Sequence, residues 1–374
     1  MPRTLLALAA LFAVAQMAAA ADSYWVYFGG YTGGKTGGKG VMVATLDAKT
    51  GQLTKPELAA EVGSPSFLAI APNGKTLYVV GEGGTGNDGG PVYAYRIDPG
   101  TGLLTKLNQL TSGGSGPCHV AVNAAGKFAV VANYGGGSTA VFSLNPDGSL
   151  KARTAFVQHE GKSVNKGNQE GPHAHCGGFD PTGEFVLVAD LGIDKVLIYK
   201  LDRATGAITP HTTPFVKMPA GAGPRHFDFD ATGKQLFVCG EIDSTVNAVT
   251  LDLVGDKVTV TQSLSTLPQP TPGNSTAECR IHPSGKFVYV SNRGHNSIAA
   301  FKNDNGKLTA IGHATEGIKT PRNFNIEPGG KWMLVASQAA DNVAVFAIGD
   351  DGVPKPTGIT VATPAPVCVK FLAK

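Results

Sequence analysis

After its first 21 residues the chain has no apolar run approaching the ~18 to 20 residues that a membrane-spanning helix needs. It also has no cluster of basic residues and no stripe of alternating aromatic and basic residues, and its formal net charge is only +3. We therefore expect neither nucleic acid nor a membrane among the partners of the mature protein. The long-period apolar pattern of the helices in an α/β enzyme is missing too, which favours an all-β fold.

Cysteines are few, and their spacing gives no metal-binding or redox motif. The five cysteines stand at positions 118, 176, 239, 279 and 368, and no two form a CxxC pair or another close spacing. Most fall in segments typical of buried strands, so we expect free thiols that fill space in the core, with one disulfide as the alternative. We therefore predict that the protein uses neither a metal nor another cofactor.

The first residues have the composition of an export signal. A lone Arg3 precedes an apolar run over residues 5–14, and small residues lead up to Asp22. A membrane anchor is the alternative, but the run is too short to span a bilayer. We predict that residues 1–21 are a cleaved signal peptide, that residues 22–374 form the mature fold, and that the protein is periplasmic or secreted.

A short phrase recurs along the rest of the chain. "PSGKFVYVSN" at residues 283–292 joins a glycine turn to a strand of apolar residues. Similar phrases surround five other glycines, namely Gly74, Gly126, Gly183, Gly233 and Gly330. Successive turn glycines, with Gly285 included, are 52, 57, 50, 52 and 45 residues apart. That period, carried by segments typical of strands, predicts a propeller of four-stranded blades.

The two ends of the chain predict how the propeller closes. "YWVYFGGY" at residues 24–31 resembles the second strand of a repeat, but no first strand precedes it. "PAPVCVKFL" at residues 364–372 resembles the missing first strand. Pairing the two would cover edges that an open ring exposes. We therefore predict an all-β, seven-bladed propeller of antiparallel blades whose first blade is closed by the C-terminal strand, and we expect a monomer.

The loops predict which face binds a ligand. In an antiparallel blade the short "PxGK" and "xTG" turns share one face, and the more variable loops lie on the other. We call this second face the mouth, because each first strand begins there and each second strand ends there. Binding residues usually lie on variable loops of a fixed frame. We expect the ligand at the mouth, with the long loop over residues 158–173 as a candidate lid.

Two rings of side chains are expected at the mouth. The starts of the first strands supply Ser66, Cys118, His173, Arg225, Glu278 and Arg322. The ends of the second strands supply Glu82, Asn133, Asp190, Glu241, Asn292 and Gln338. His175 follows His173 on the same strand face, while strand alternation predicts that His119 and His226 point between blades. Several cations that converge on a few carboxylates suit a small anionic or oxygen-rich ligand.

Individual roles follow from the chemistry of the side chains. His173 is a candidate for proton transfer, with a structural link between blades as the alternative. Arg225 and Arg293 would stabilise an oxyanion, or would only pair with a carboxylate such as Glu241. Glu241 is the best candidate general base, because partial burial should raise the pKa of its carboxyl group. Other predicted contacts with the substrate are His175, Asp190, Glu278 and Arg322.

Four phrases resemble those of a known family. "GPHAH", "GPRHF", "GEIDS" and "SNRGH" occur in the order typical of the lactonase family of seven-bladed propellers, which includes propeller-type 6-phosphogluconolactonases and fungal carboxymuconate cyclases. The resemblance extends from about Tyr24 to the C-terminus. It implies a site in the mouth formed by His173, Arg225, Glu241 and Arg293, and "HAH" leaves His175 as an alternative to His173.

Three functions fit these observations. In the first, a sugar lactone is hydrolysed by water that Glu241 activates, directly or through His173, while Arg225 and Arg293 stabilise the developing oxyanion. In the second, the same cluster closes a muconate carboxylate onto its double bond. In the third, the protein is a non-catalytic extracytoplasmic binding module, since a fold alone does not define a function. An export signal argues against a phosphorylated lactone as the natural substrate.

Overall fold

The computed structural model describes residues 21–33, 36–83 and 88–374. Nearly all of the predicted signal peptide lies outside these residues. Over the described part of the chain, 28 strands and two short 3₁₀ turns are found, and no helix there is long and apolar enough to span a membrane.

The strands follow one another in groups of four. The first three are β1 (Ser23–Gly30), β2 (Gly40–Asp47) and β3 (Glu57–Glu61). The second blade contains β4 (Pro65–Ile70), β5 (Thr76–Gly81), β6 (Pro91–Ile97) and β7 (Leu104–Thr111). The third contains β8 (Pro117–Val122), β9 (Phe128–Asn133), β10 (Ser138–Leu144) and β11 (Leu150–Gln158). The fourth contains β12 (Ala174–Phe179), β13 (Phe185–Asp190), β14 (Lys195–Leu201) and β15 (Ile208–Lys217), with a 3₁₀ turn at Leu191–Ile193.

The remaining blades repeat the pattern. The fifth contains β16 (Pro224–Phe229), β17 (Gln235–Gly240), β18 (Thr245–Asp252) and β19 (Lys257–Ser265). The sixth contains β20 (Thr276–Ile281), β21 (Phe287–Asn292), β22 (Ser297–Asp304) and β23 (Lys307–Ala314). The seventh contains β24 (Pro321–Ile326), β25 (Trp332–Ser337), β26 (Asn342–Ile348) and β27 (Pro354–Ala362), with a 3₁₀ turn at Gln338–Ala340. The last strand is β28 (Pro366–Ala373).

The C-terminal strand closes the ring. β28 pairs antiparallel with β1, from Tyr24 opposite Ala373 to Gly30 opposite Pro366, and the first blade has the order β28-β1-β2-β3. The described residues thus form seven four-stranded sheets. The predicted seven-bladed propeller and its closure are confirmed. Since β28 and β1 come from opposite ends of the chain, closure depends on contacts that form only when the whole ring is assembled.

Apolar second strands hold the blades together. Every residue of β9, β13 and β25 is buried, as expected for strands that are covered on both faces by neighbouring blades. Tyrosine hydroxyls on three second strands also reach the next blade: Tyr27 donates to the Gly102 carbonyl, Tyr78 to Gly148 and Tyr289 to Gly352, at 2.7–2.8 Å. Each such buried hydrogen bond contributes about 1 kcal/mol and fixes the register between blades.

A bulge near the mouth changes the direction of side chains on the first strands. In β16, Pro224 pairs with Gly240 and Phe227 pairs with Val238, so two residues of β16 lie opposite one residue of β17. β4, β8, β12, β20 and β24 are irregular at the equivalent position. An extra residue interrupts the alternation of a strand. Successive side chains of β16, Arg225 and His226, therefore both line the central channel.

Candidate active site

The centre of the mouth is a carboxylate held by two guanidinium groups. Glu241 follows β17, and its Oε2 lies 2.7 Å from Nε of Arg225, while its Oε1 lies 2.7 Å from Nη2 of Arg293. Arg225 is buried at the start of β16 and also donates to the Ala277 carbonyl. Arg293 follows β21 and donates to the Thr276 carbonyl at 3.0 Å. Both arginines are thus oriented by backbone carbonyls as well as by Glu241.

The two arginines determine the protonation state of Glu241. Burial alone would raise the pKa of its carboxyl group, but the charges of Arg293 and Arg225 outweigh burial and lower that pKa below its ordinary value. The expectation of a raised pKa was wrong, because both arginines pair with Glu241, which the sequence offered only as an alternative. A carboxylate stabilised in this way is a weak base. We therefore assign to Glu241 the orientation of the two guanidinium groups.

His173 lies at the edge of the mouth with one ring nitrogen engaged. Its Nδ1 donates to the Tyr134 carbonyl at 3.0 Å, and its ring stacks on the Tyr134 ring with centroids 4.6 Å apart. That hydrogen bond leaves Nε2 without a proton in the neutral ring, 3.6 Å from Oε1 of the exposed Glu170. An imidazole held in one tautomer, with its basic nitrogen facing solvent, is suited to accept a proton from water.

Asp190 supports His173 from below. Its Oδ1 accepts hydrogen bonds from the backbone amides of His173, at 2.7 Å, and Gly192, at 3.0 Å. Its Oδ2 lies 2.6 Å from Nδ1 of His159, and the side chains of both residues are fully buried. We predicted Asp190 as a substrate contact. With both oxygens engaged and none exposed, it is placed to position His173 instead, and we assign it that role.

Tyr134 lies between His173 and His175, with ring centroids 4.6 and 5.4 Å away, and was not among the predicted site residues. Burial raises the pKa of its hydroxyl group, and the charges of Glu241 and Arg225 are close enough to shift it as well. Tyr134 follows β9, after the Asn133 that the sequence placed in the mouth ring. The sequence analysis took only the last residue of each second strand as a mouth residue. The aromatic residue that follows it, at the start of the variable loop, would have indicated Tyr134.

The innermost ring of the mouth consists of the bulge residues. Ser66, Cys118, His175, Arg225 and Arg322 surround a void of about 10 Å³, large enough for a single water molecule at most. His175 is buried there, and burial together with Arg225 lowers the pKa of its imidazole well below the ordinary value. The structure thus places His175 deeper than His173, as a neutral group, and Arg322 beside the ring of Tyr31 at 5.6 Å.

Glu278 lies one step deeper than predicted. The ring position next to Arg225 is occupied by the backbone of Ala277, and Glu278 instead contacts His226, with Oε2 3.1 Å from Nδ1, and accepts a hydrogen bond from Asn323. It is 1% exposed and lines the channel below the mouth. A direct contact with a ligand in the mouth is therefore not supported for Glu278. The reason is that β20 begins at Thr276, which pairs with Asn292 as Pro224 pairs with Gly240. The counterpart of Arg225 is therefore Ala277.

His119 and His226 were predicted to point between blades, and that prediction was wrong. Both line the central channel, where their ring centroids are 5.3 Å apart. The centroid of the Phe67 ring lies 4.0 Å from that of His119 and 5.5 Å from that of His226. Together these three rings, which we call the aromatic plug, separate the mouth from the lower part of the channel. The plug follows from the bulges on the first strands.

The loop before His173 is anchored to its blade. Gln169 donates to the Leu191 carbonyl at 2.9 Å and to Asp194 at 2.8 Å, and Ser163 donates to the other oxygen of Asp194. This segment carries Glu170 to the edge of the mouth.

All five cysteines are buried and unpaired. Among the residues that the structure describes, no group of three or more His, Cys, Asp or Glu side chains is arranged to hold a metal ion.

Comparisons with known proteins identify the family. The model of the family described as "Lactonase, 7-bladed beta-propeller" matches residues 25–371. The chain belongs to this lactonase family. A relative named 6-phosphogluconolactonase from Bacillus subtilis is 35% identical over 358 residues, which cover 93% of this chain and 98% of that protein. Another protein of that name, from Formosa agariphila, is 32% identical over 82% of this chain and 88% of its own length.

Solved structures of similar proteins have the same fold. The periplasmic gluconolactonase PpgL of Pseudomonas aeruginosa is 29% identical, with a TM-score of 0.87 and coverage of 94% of this chain and 99% of that one. A protein from Lactobacillus plantarum is 32% identical, with a TM-score of 0.85 and coverage of 94% and 99%.

Proposed function

We propose that this lactonase-family propeller hydrolyses a sugar lactone at the mouth. The observation that carries the proposal is the bridge of Glu241 between Arg225 and Arg293, with the partly exposed His173 nearby on the same rim. Fixed guanidinium groups beside an oriented imidazole supply what lactone opening needs, namely donors for an oxyanion and a base for water. The names of the relatives support the same substrate class.

The reaction follows from this arrangement. The lactone carbonyl oxygen faces Arg293, whose side chain is 16% exposed, while Nε2 of His173 takes a proton from the attacking water. The arginine stabilises the oxyanion of the tetrahedral intermediate. When the ring C–O bond breaks, the protonated His173 returns its proton to the leaving ring oxygen, which gives the hydroxy acid. Glu241 keeps the guanidinium groups in place throughout.

An extracytoplasmic location and an unphosphorylated aldonolactone are the finer parts of the proposal. The N-terminal segment supports export, and the neighbour PpgL is named as periplasmic. An exported enzyme would meet sugar lactones that carry no phosphate. We propose that the mature protein acts there as a monomer, a state that gel filtration of the purified protein checks.

The test is the rate of δ-lactone opening above the spontaneous rate in buffer, followed as acid release with gluconolactone and its 6-phosphate. We expect Glu241→Gln and His173→Gln to lower the enzymatic rate by roughly 10²-fold. Glu184→Gln is the matched control, because Glu184 forms an ion pair with the exposed Arg203 on the surface. It should stay within about twofold of wild type.

Two results would contradict the proposal. One is a wild-type rate equal to the buffer rate with both lactones, which would favour a binding module. The other is loss of muconate absorbance without any lactone opening, which would favour the cyclase reaction. A faster rate with the 6-phosphate than with gluconolactone would overturn only the proposed absence of a phosphate from the substrate.

A further inference from the structure

A separate chamber lies in the central channel beneath the aromatic plug. Its volume is about 410 Å³, within the range of small-molecule sites, and all seven innermost strands line it with their second halves. It therefore lies toward the face opposite the mouth. Phe67 and His226 of the plug form its roof and also line the void under the mouth. A ligand in the chamber would not share space with a lactone in the mouth.

The chamber wall is polar on one side only. On β4, β8 and β12 the wall residues at equivalent positions are small, namely Ala69, Ala121 and Gly178. On β16, β20, β24 and β28 the equivalent residues are Asp228, Arg280, Asn325 and Lys370. The small residues leave open space on one side of the chamber, and the polar residues face that space from the other side. If the polar side chains only linked neighbouring blades, the space beside the three small residues would have no role.

The two cations of the chamber are incompletely paired. Nε of Arg280 is buried 3.4 Å from Glu278 without an aligned hydrogen bond. Among the described residues, the ammonium group of Lys370 faces only the Phe67 ring, with Nζ 4.5 Å from its centroid. Buried donors without partners are costly, and a bound acceptor would relieve that cost.

The charges of the chamber also favour an anion. Burial raises the pKa of the Asp228 carboxyl group, and its Oδ2 accepts a hydrogen bond from the Ile281 amide at 3.1 Å. Burial lowers the pKa of Lys370, and the nearby charge of Arg280 lowers it further. Two cations thus repel each other, and the one carboxylate paired with Arg280, Glu278 at 3.4 Å, is shared with His226 and Asn323. An anion between Arg280 and Lys370 would offset that repulsion.

We propose that this chamber is a second binding site, reached from the face opposite the mouth, for a small oxyanion such as a phosphate or a carboxylate. Arg280 and Lys370 contact its oxygens from one side, beneath the aromatic plug. The three small residues accommodate the rest of the ligand. The source of the anion is either inorganic phosphate or a sugar acid, because both present the same oxygens to these donors.

Titration of the full-length mature protein with inorganic phosphate and, separately, with gluconate tests the proposal, with binding followed by calorimetry. Lys370→Met keeps the aliphatic contact with Phe67 and removes the charge, and we expect it to weaken binding at least tenfold while lactone opening stays unchanged. Arg322→Gln is the matched control, since it removes a cation from the mouth and none from the chamber. Binding in this variant should equal that in wild type.

The outcomes separate the two sites. Binding of either anion that is lost in Lys370→Met and kept in Arg322→Gln supports the chamber, and the tighter anion identifies the source. Absence of binding to wild type, or loss only in Arg322→Gln, overturns the proposal. If Lys370→Met does not fold, anomalous diffraction from wild-type crystals soaked in selenate decides, because density between Arg280 and Lys370 supports the site and density confined to the mouth contradicts it.

Discussion

Nε of Arg225 lies 2.7 Å from Oε2 of Glu241, and the arginine is buried whereas the glutamate side chain is 22% exposed. The pair therefore places a desolvated cation beneath a carboxylate that reaches the mouth. Since the other carboxylate oxygen is held by Arg293, neither oxygen is free to act on a substrate without loosening an ion pair. We therefore propose His173, and not Glu241, as the base.

Arg225→Lys should fail to replace arginine. The guanidinium group contacts Glu241 through Nε and the Ala277 carbonyl through Nη1, and a single ammonium group does not span both. We expect at least a tenfold loss in kcat and a loss of about 1–3 kcal/mol in the free energy of unfolding. Arg203→Lys, at an exposed ion pair, serves as the control and should change stability by less than about 1 kcal/mol. Equal effects of the two substitutions would argue against the assigned role of Arg225.

Asp190 should act through His173, and two substitutions separate its contributions. Asp190→Ala removes the acceptor for the amides of His173 and Gly192, so we expect a loss of about 2–4 kcal/mol in unfolding free energy and a roughly tenfold fall in kcat. Asp190→Asn keeps one oxygen for those amides and should restore most of both. KM should change little in either variant. A rise in KM with unchanged kcat would show that Asp190 contacts the substrate after all.

The channel histidines should make stability depend on pH. Burial lowers the pKa of His226 from 6.5 to about 4, so the unfolded chain binds a proton between those pH values that the folded protein does not. The free energy of unfolding should therefore fall as the pH drops from about 6.5 to 4, by at most about 1.4 kcal/mol per pH unit for this residue. His119 and His175 also have pKa values lowered by burial and add to the slope.

His226→Gln removes one of these titrating groups. Denaturant unfolding at several pH values should show a shallower slope for the variant than for wild type between pH 6.5 and 4. Identical slopes would mean that His226 is accessible to protons in the folded state.

The five thiols should be unreactive in the folded protein. All are buried, and burial raises the pKa of Cys176 to about 12 and that of Cys239 to about 11, which disfavours the reactive thiolate. We expect no fast reaction with Ellman's reagent in native buffer and five equivalents in denaturant. Three equivalents in denaturant without reductant would instead reveal a disulfide.

The repeat, the blade count and the closing strand were all predictable from sequence. Each depends on patterns that are local in the chain: a turn glycine, an apolar strand such as β21, and a period near 50 residues. The pairing of β28 with β1 could be predicted because the N-terminal unit lacked a first strand and the C-terminal segment resembled one. The phrases around Arg225, Glu241 and Arg293 also indicated residues that the fold places in contact.

How far each side chain lies below the mouth depends on the tertiary structure. Alternation along a strand predicts facing only while the register is regular, and the bulges on the first strands shift it by one residue. That shift brought His119 and His226 into the channel, whereas Glu278 lies below the mouth because β20 begins one residue earlier than the sequence indicated. The pKa of Glu241 could not be predicted either, because it depends on a second arginine from another blade. Local patterns determine which elements form, whereas distances between side chains of different blades exist only once the ring has closed.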